Sequence, residues 1–123
     1  MKGPAFVYLA RRNSDWAVKV GYAADPCLRI RLLGQQTPCE LRKVYYAESR
    51  ERAREIEAAA HLALEDCALG GEWFSAPLDS VVRVVGAIVS GRRPYREYAG
   101  RLLHVRRVAA ARGHARFAAD LLQ

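Results

Sequence analysis

Five side chains of this sequence could act together on a phosphate ester: a phenol, an ammonium, a guanidinium, a carboxylate and an imidazole. Hydrolysis of a phosphodiester needs a nucleophilic water, a group that accepts its proton, and positive charge near the phosphoryl oxygens. A bound metal often supplies much of that charge. The residues that offer these groups are Tyr8, Lys19, Arg29, Glu57 and His61.

The carboxylate and the guanidinium have the most direct roles. Glu57 provides hard oxygen ligands suited to one Mg²⁺ (or Mn²⁺) ion that otherwise keeps most of its waters. Arg29 can place two donors on the non-bridging oxygens as negative charge builds there. Two plainer interpretations stay open, since Arg29 could be a solvated charge and Glu57 could form a weak surface ion pair with Arg54 or Arg50.

The phenol and the imidazole are expected to assist. Tyr8 and Lys19 lie on two predicted strands and could point to one face of a sheet, where the cation would lower the pKa of the phenol. His61 follows Glu57 by four residues, on the same face of a predicted helix, and could orient the metal's waters or protonate the leaving oxygen. The structural alternatives are a half-buried strand aromatic for Tyr8 and a packing residue for His61.

The elements that must position these residues begin with two strands. Residues 5–10 are apolar and aromatic, and turn formers follow in residues 11–15, which predicts a strand and a hairpin loop. In residues 16–22, Val18 and Val20 share one face while Lys19 lies on the other, as in a second, antiparallel strand.

Helical signals follow. Asp25 before Pro26 predicts a helix start, with Leu28, Leu32 and Leu33 at helical spacing up to about Gly34. Residues 41–47 have the composition of a strand, residues 50–66 form the clearest helix, and residues 77–90 an amphipathic one. The apolar stripe of the long helix consists of Ala53, Ile56, Ala60 and Leu64.

Between the last two helices, residues 72–75 predict a brief extended segment. Trp73 and Phe74 are expected to belong to the core rather than to stack on nucleobases. Glu72 could be a cap, a partner in an ion pair or a member of the site. The elements together predict an α+β fold with a small antiparallel sheet of about three strands flanked by helices.

In this order of elements, the chain resembles the phage-related branch of the GIY-YIG nuclease superfamily over about residues 7–74. Val7-Tyr8-Leu9 stands at the first signature and Lys19-Val20-Gly21 at the second, and Arg29 follows that glycine by eight residues. The later signature, alanine, glutamate and histidine at intervals of four and then Gly-Glu-Trp-Phe, is matched by Ala53, Glu57, His61 and residues 71–74.

The resemblance implies a metal-dependent endonuclease that hydrolyses phosphodiester bonds in DNA, with the five residues above as its catalytic set. The chain departs from the family pattern in three ways: Lys19 replaces the second phenol, Leu33 stands where some members have a histidine, and residues 72–74 stand where other branches have an asparagine. The identity of the general base therefore stays open. A DNA-binding module that keeps the fold but has lost cleavage is the alternative, and a regulatory protein is a third.

Charge and composition fit a nucleic-acid partner. The 123 residues include 20 Lys and Arg against 13 Asp and Glu, a net charge of +7 that favours a polyanion. Candidate contacts to its backbone are Arg11, Arg12 and Arg31. No apolar run is long enough for a membrane span, and the three cysteines lack the spacing of a disulfide framework or a zinc site, so we expect a cytoplasmic protein with reduced thiols. We also expect no small-molecule cofactor. We expect a domain over residues 1–91 and a basic helical tail over residues 92–123.

Overall fold

The computed structural model of the protein describes residues 3–91. The predicted basic tail lies outside these residues. Within them, the chain forms five strands and three α-helices. Their order is β1 (Ala5–Arg12), β2 (Val18–Ala23), α1 (Pro26–Leu33), β3 (Cys39–Ala47), α2 (Arg50–Ala63), β4 (Ala68–Gly70), β5 (Trp73–Phe74) and α3 (Leu78–Val89).

The strands form one antiparallel sheet in the order β3-β1-β2-β5-β4. The predicted fold class, α+β with a small antiparallel sheet flanked by helices, is confirmed. Two short strands extend the sheet beyond the three predicted. β4 could not be predicted from the sequence, because its three residues are all exposed and show no alternation of apolar and polar side chains.

The long helix is shorter than predicted. α2 ends at Ala63, and the 3₁₀ turn Glu65–Cys67 follows. Gly70 and Gly71 turn the chain from β4 into β5 with φ angles of 120° and 60°. Such positive angles favour glycine at both positions.

The main core lies on one face of the sheet, between the strands and the helices α2 and α3. Val7 and Leu9 of β1 point into it, and so do Val18 and Val20 of β2. The predicted stripe of α2 is confirmed, since each member is at most 1% exposed: Ala53, Ile56, Ala60 and Leu64. Burying each large aliphatic side chain contributes about 1.5–3 kcal/mol.

The opposite face of β1 carries a smaller cluster in which Tyr8 and Ala10 pack with Ala23 and, from α1, Ile30. α1 begins as predicted, with the Asp25 carboxylate accepting a hydrogen bond from the Leu28 amide at 3.1 Å. Its leucines, however, do not all face the sheet: Leu28 is 43% exposed and Leu32 54%. In the described part of the chain, no helix is both long and apolar enough to cross a membrane.

Candidate active site

The register of β1 and β2 places the phenol and the lysine on one side of the sheet. Tyr8 lies opposite Gly21, and Ala10 lies opposite Lys19. Directly opposed residues of an antiparallel pair share a face, as do residues two apart on one strand. Tyr8 and Lys19 therefore point to the same face, in agreement with the sequence prediction.

Tyr8 is fully buried, with 1% of its surface exposed, and its ring crosses directly over Gly21. A Cβ atom at position 21 would stand only 2.6 Å from both Cζ and the hydroxyl oxygen of Tyr8. Real Cβ atoms essentially never approach other atoms so closely. Gly21 is therefore needed for the space that it leaves to the phenol, and the half-buried interpretation of Tyr8 is wrong.

Replacing Gly21 by alanine should lower the free energy of unfolding by about 1–3 kcal/mol, because the phenol or the strand must shift to admit the methyl group. The measurement is urea unfolding followed by tryptophan fluorescence. Gly86→Ala is the matched control, since nothing lies within 4 Å of a Cβ built at that helical position. There, alanine should stabilise the helix by about 0.5–1 kcal/mol. Equal effects of the two substitutions would contradict the steric role of Gly21.

The pKa of Tyr8 is raised, not lowered. Burial is the main cause of its rise to about 12, the charges of Glu72 and Glu57 add to it, and Arg29 opposes it. The sequence prediction of a phenol activated by Lys19 is thus wrong. The reason is that desolvation penalises the phenolate more than any neighbouring cation stabilises it.

Lys19 is paired with a carboxylate far away in the sequence. Its Nζ atom donates to Oε1 of Glu72 at 2.5 Å, and the lysine side chain is only 13% exposed. β5 creates this pair, because Trp73 lies opposite Lys19 in the sheet. Glu72, whose role the sequence left undecided, is therefore a neighbour of the predicted site.

Glu57 and Glu72 lie side by side. The pKa of Glu57 is raised, first by partial burial and then by the charge of Glu72. The charges of His61 and Lys19 oppose this rise. Among residues 3–91 no ion pair involves Glu57, so the alternative of a surface pair with Arg50 or Arg54 is not observed.

Two adjacent carboxylates suit a hard divalent cation. Mg²⁺ is commonly held by one or two carboxylates while it keeps several waters, and it does not need a full cage of protein ligands. Within the described residues no group of three or more His, Cys, Asp and Glu side chains is placed to bind a metal. A metal ion bound here would have Glu57 and Glu72 as side-chain ligands and would take its remaining ligands from water.

His61 is held by the backbone of β2. Its Nε2 atom lies 2.8 Å from the carbonyl oxygen of Val20, and its ring packs on Phe74 with the centroids 5.1 Å apart. A carbonyl only accepts hydrogen bonds, so Nε2 carries the proton. These contacts agree with the interpretation of His61 as a packing residue. Its Nδ1 atom takes no part in the bond to Val20.

An open cleft of about 580 Å³ brings some of the predicted site residues together. Tyr8, Glu57 and Arg29 all line it, whereas Lys19 and His61 are not part of its lining. Its complete lining is Tyr8, Tyr22, Ala23, Ala24, Asp25, Leu28, Arg29, Leu32, Arg50, Glu57 and Glu72.

The cleft contains functional candidates that the sequence reasoning missed, chiefly Arg50 and Tyr22. Arg50 is the first residue of α2 and is exposed, although a cation is disfavoured at a helix N-terminus. This unfavourable placement is the feature of the sequence that could have identified Arg50 as a functional candidate. A prediction that residues 72–75 pair with β2 would likewise have placed Glu72 next to Lys19.

Three arginines were predicted to contact the phosphate backbone of a nucleic acid, and none of them is part of the cleft lining. Arg12 binds Asp15 through Nη2 at 2.7 Å and stands over the ring of Trp73, which is half-buried, at 4.7 Å. Arg11 stands 3.9 Å from the centroid of Trp16. Arg31 is exposed on α1. Their binding of nucleic acid stays a prediction.

Comparison with known proteins identifies one family. The family model described as the T5orf172 domain matches residues 5–89. This span runs from the first residue of β1 to the last residue of α3 and includes the whole lining of the cleft. No curated protein and no solved structure matches the chain.

Proposed function

This chain belongs to the T5orf172 domain family, and from that premise we propose that it is a metal-dependent endonuclease of the GIY-YIG type that hydrolyses phosphodiester bonds in DNA. Membership of this phage-associated family suggests a nuclease or DNA-binding role. One observation supports a metal-dependent endonuclease in particular: a carboxylate pair, an exposed arginine and a buried phenol line the same cleft. The convergence of groups from β1, α1, α2 and the segment before β5 supports chemistry on a phosphate.

Glu57 and Glu72 would hold the Mg²⁺ or Mn²⁺ ion in this proposal. When bound, the ion would supply positive charge to the phosphoryl oxygens and make a nearby water more acidic. Lys19 has a positioning role, because its short hydrogen bond holds the Glu72 carboxylate beside Glu57. The remaining repulsion between the two carboxylates favours the binding of a cation.

Arg29 and Tyr8 act on the phosphate and the attacking water. The exposed guanidinium of Arg29 forks two donors onto the non-bridging oxygens, where charge increases in the transition state. Tyr8 stays protonated at neutral pH because its pKa is about 12, so it orients the attacking water through hydrogen bonds. Its burial against Gly21 keeps the hydroxyl in one place.

His61 holds the elements of the site together without lining the cleft. Its bond to the Val20 carbonyl fixes α2 against β2 and thereby the position of Glu57, one helical turn earlier. Nε2 holds its proton on the Val20 carbonyl and His61 does not line the cleft, so the proposal routes no proton transfer through this ring. The proposal therefore assigns His61 a positioning role.

A DNA-binding module without cleavage is the second candidate. The specific observation in its favour is the raised pKa of Tyr8, together with a lysine at the position of the second phenol. Such a phenol is a poor proton acceptor at neutral pH. Binding would then draw on the positive charge of the chain.

Incubation with supercoiled plasmid separates the two candidates. The endonuclease should convert plasmid to the nicked form in Mg²⁺ or Mn²⁺, and chelation by EDTA should stop the reaction. Salt-sensitive retention of the plasmid on a gel, with no nicking in either metal, would support the binding module instead. Neither nicking nor retention at low ionic strength would overturn both candidates.

A further inference from the structure

The cleft is larger and more apolar than a phosphate site requires. Its volume of about 580 Å³ lies in the range of clefts that bind small molecules, roughly 300–1,000 Å³. Beside the charged groups, its lining includes Leu28, Leu32 and Tyr22. These side chains contribute nothing to the hydrolysis described above, but a further part of the ligand could contact them.

The two leucines form an apolar patch on α1. They are one helical turn apart and hence on the same face, and they are 43% and 54% exposed. α1 contacts the sheet through Ile30 instead. An exposed apolar patch at the edge of a polar site is typical of a groove that binds a ligand.

The arginine of the site belongs to the same stretch of helix. Arg29 directly follows Leu28 and precedes Leu32 by three residues, so a phosphate on its guanidinium would lie next to the leucines. Arg50 adds a second cation to the lining. A ligand that fills the cleft must therefore combine an anionic group with an adjacent apolar surface.

A single nucleotide has this combination. In a duplex the flat faces of the bases are covered by stacking, and only phosphate and sugar are offered to a protein cleft from the outside. An unpaired nucleotide exposes its base, which binds well to apolar and aromatic side chains. Unstacking is least costly where the base is already single-stranded or mismatched.

We infer that the cleft takes up one unpaired nucleotide, with its phosphate on Arg29 and its base against Leu28, Leu32 and Tyr22. The inference rests on the proposed function, because it assumes that nucleic acid is the ligand of the cleft. It names the substrate class of the same site: single-stranded or locally unpaired DNA. Intact duplex is bound only through its backbone.

Binding is measured by fluorescence anisotropy in EDTA, where the proposed reaction does not proceed. The probes are one labelled 20-nucleotide strand, the same strand in a duplex, and a strand of equal length made of abasic nucleotides. Electrostatics alone favours the duplex, which has the higher charge density. Contact with the base should reverse this order, so the normal single strand should bind about tenfold more tightly than the other two probes.

The variant Leu28→Ala/Leu32→Ala should abolish this preference for the single strand and leave the affinity for the duplex unchanged. Both leucines are exposed, so the melting temperature of the variant should stay that of the wild type. Leu62→Ala/Leu69→Ala is the matched control, since both of these leucines are exposed but lie outside the cleft lining. The control should keep the tenfold preference.

Tighter binding of the duplex by the wild type, or a single-strand preference that survives in the double variant, would overturn the inference. Failure of the proposed function looks different: no probe or plasmid is cleaved in Mg²⁺ or Mn²⁺, while the leucine-dependent preference persists. That result would support the cleft as a nucleotide-binding site in a non-cleaving module. Cleavage of duplex DNA that does not depend on the leucines would overturn the inference and leave the endonuclease intact.

Discussion

Replacing Glu57 by glutamine should reduce metal-dependent nicking by about 100-fold or more and, at the same time, make the folded protein more stable at neutral pH. The loss of rate follows because an amide is a much weaker ligand for Mg²⁺ than a carboxylate. The gain in stability follows because the substitution removes a partly buried carboxylate that repels the neighbouring carboxylate of Glu72. We expect about 0.5 kcal/mol, or roughly 2–4 °C in Tm.

The pH dependence of this stability has a definite sign. Burial and the charge of Glu72 raise the pKa of Glu57 in the folded state, so the folded chain binds more protons than the unfolded chain in the pH window just above the ordinary pKa of glutamate. The stability of the wild type therefore falls as pH rises through that window. The advantage of Glu57→Gln should be full at about pH 7 and absent at about pH 4.

Thermal unfolding with and without Mg²⁺ gives a readout that does not depend on activity. The ion should raise the Tm of the wild type by binding to the folded state, and it should leave Glu57→Gln nearly unchanged. Glu55→Gln is the control, an exposed glutamate of the same helix that keeps only a long contact of 3.5 Å to Arg52. An equal Mg²⁺ response in wild type and Glu57→Gln would show that Glu57 is not a ligand.

Replacing Arg29 by alanine should lower the turnover number by about 100- to 1,000-fold with little change in Tm. The side chain is exposed and alanine is a strong helix former, so the fold has little to lose. The rate falls because the guanidinium neutralises charge that develops only in the transition state. Arg29→Lys should recover only part of the rate, since an ammonium cannot fork two donors onto a phosphate.

Variants of two other arginines distinguish an effect on turnover from an effect on substrate binding. Arg83→Ala, an exposed position on α3, should leave both kcat and KM unchanged. Arg31→Ala should raise KM with an unchanged kcat if that residue contacts only the backbone of the substrate. A kcat for Arg29→Ala that matches that of Arg83→Ala would remove Arg29 from the proposed catalytic set.

Both predictions address the same question, namely whether the charges of the cleft meet at a reacting phosphate. Loss of nicking in the Glu57 and Arg29 variants, with the controls unaffected, would support a single catalytic centre. Loss of binding in place of turnover would favour the module that only holds DNA. The high pKa of Tyr8 makes this distinction worth measuring, because the phenol by itself is not a ready base.

The sequence by itself determined the order of the main strands and helices and the faces on which their residues lie. The alternation of Val18 and Val20 with Lys19 matches β2, and the spacing of Ile56, Ala60 and Leu64 matches the buried stripe of α2. These features are local. Backbone sterics set a period of two for a strand and 3.6 for a helix, so the pattern of side chains reveals them directly.

Only the tertiary structure decided how the candidate groups act on one another. Lys19 and Glu72 are 53 positions apart in the chain, and their pairing depends on the short strand β5. Lys19, the cation expected to lower the pKa of Tyr8, is thus paired with Glu72 instead. Burial meanwhile raises the pKa of the phenol. The physical reason is that Coulomb interactions and desolvation depend on distance and burial in space, which no local pattern encodes.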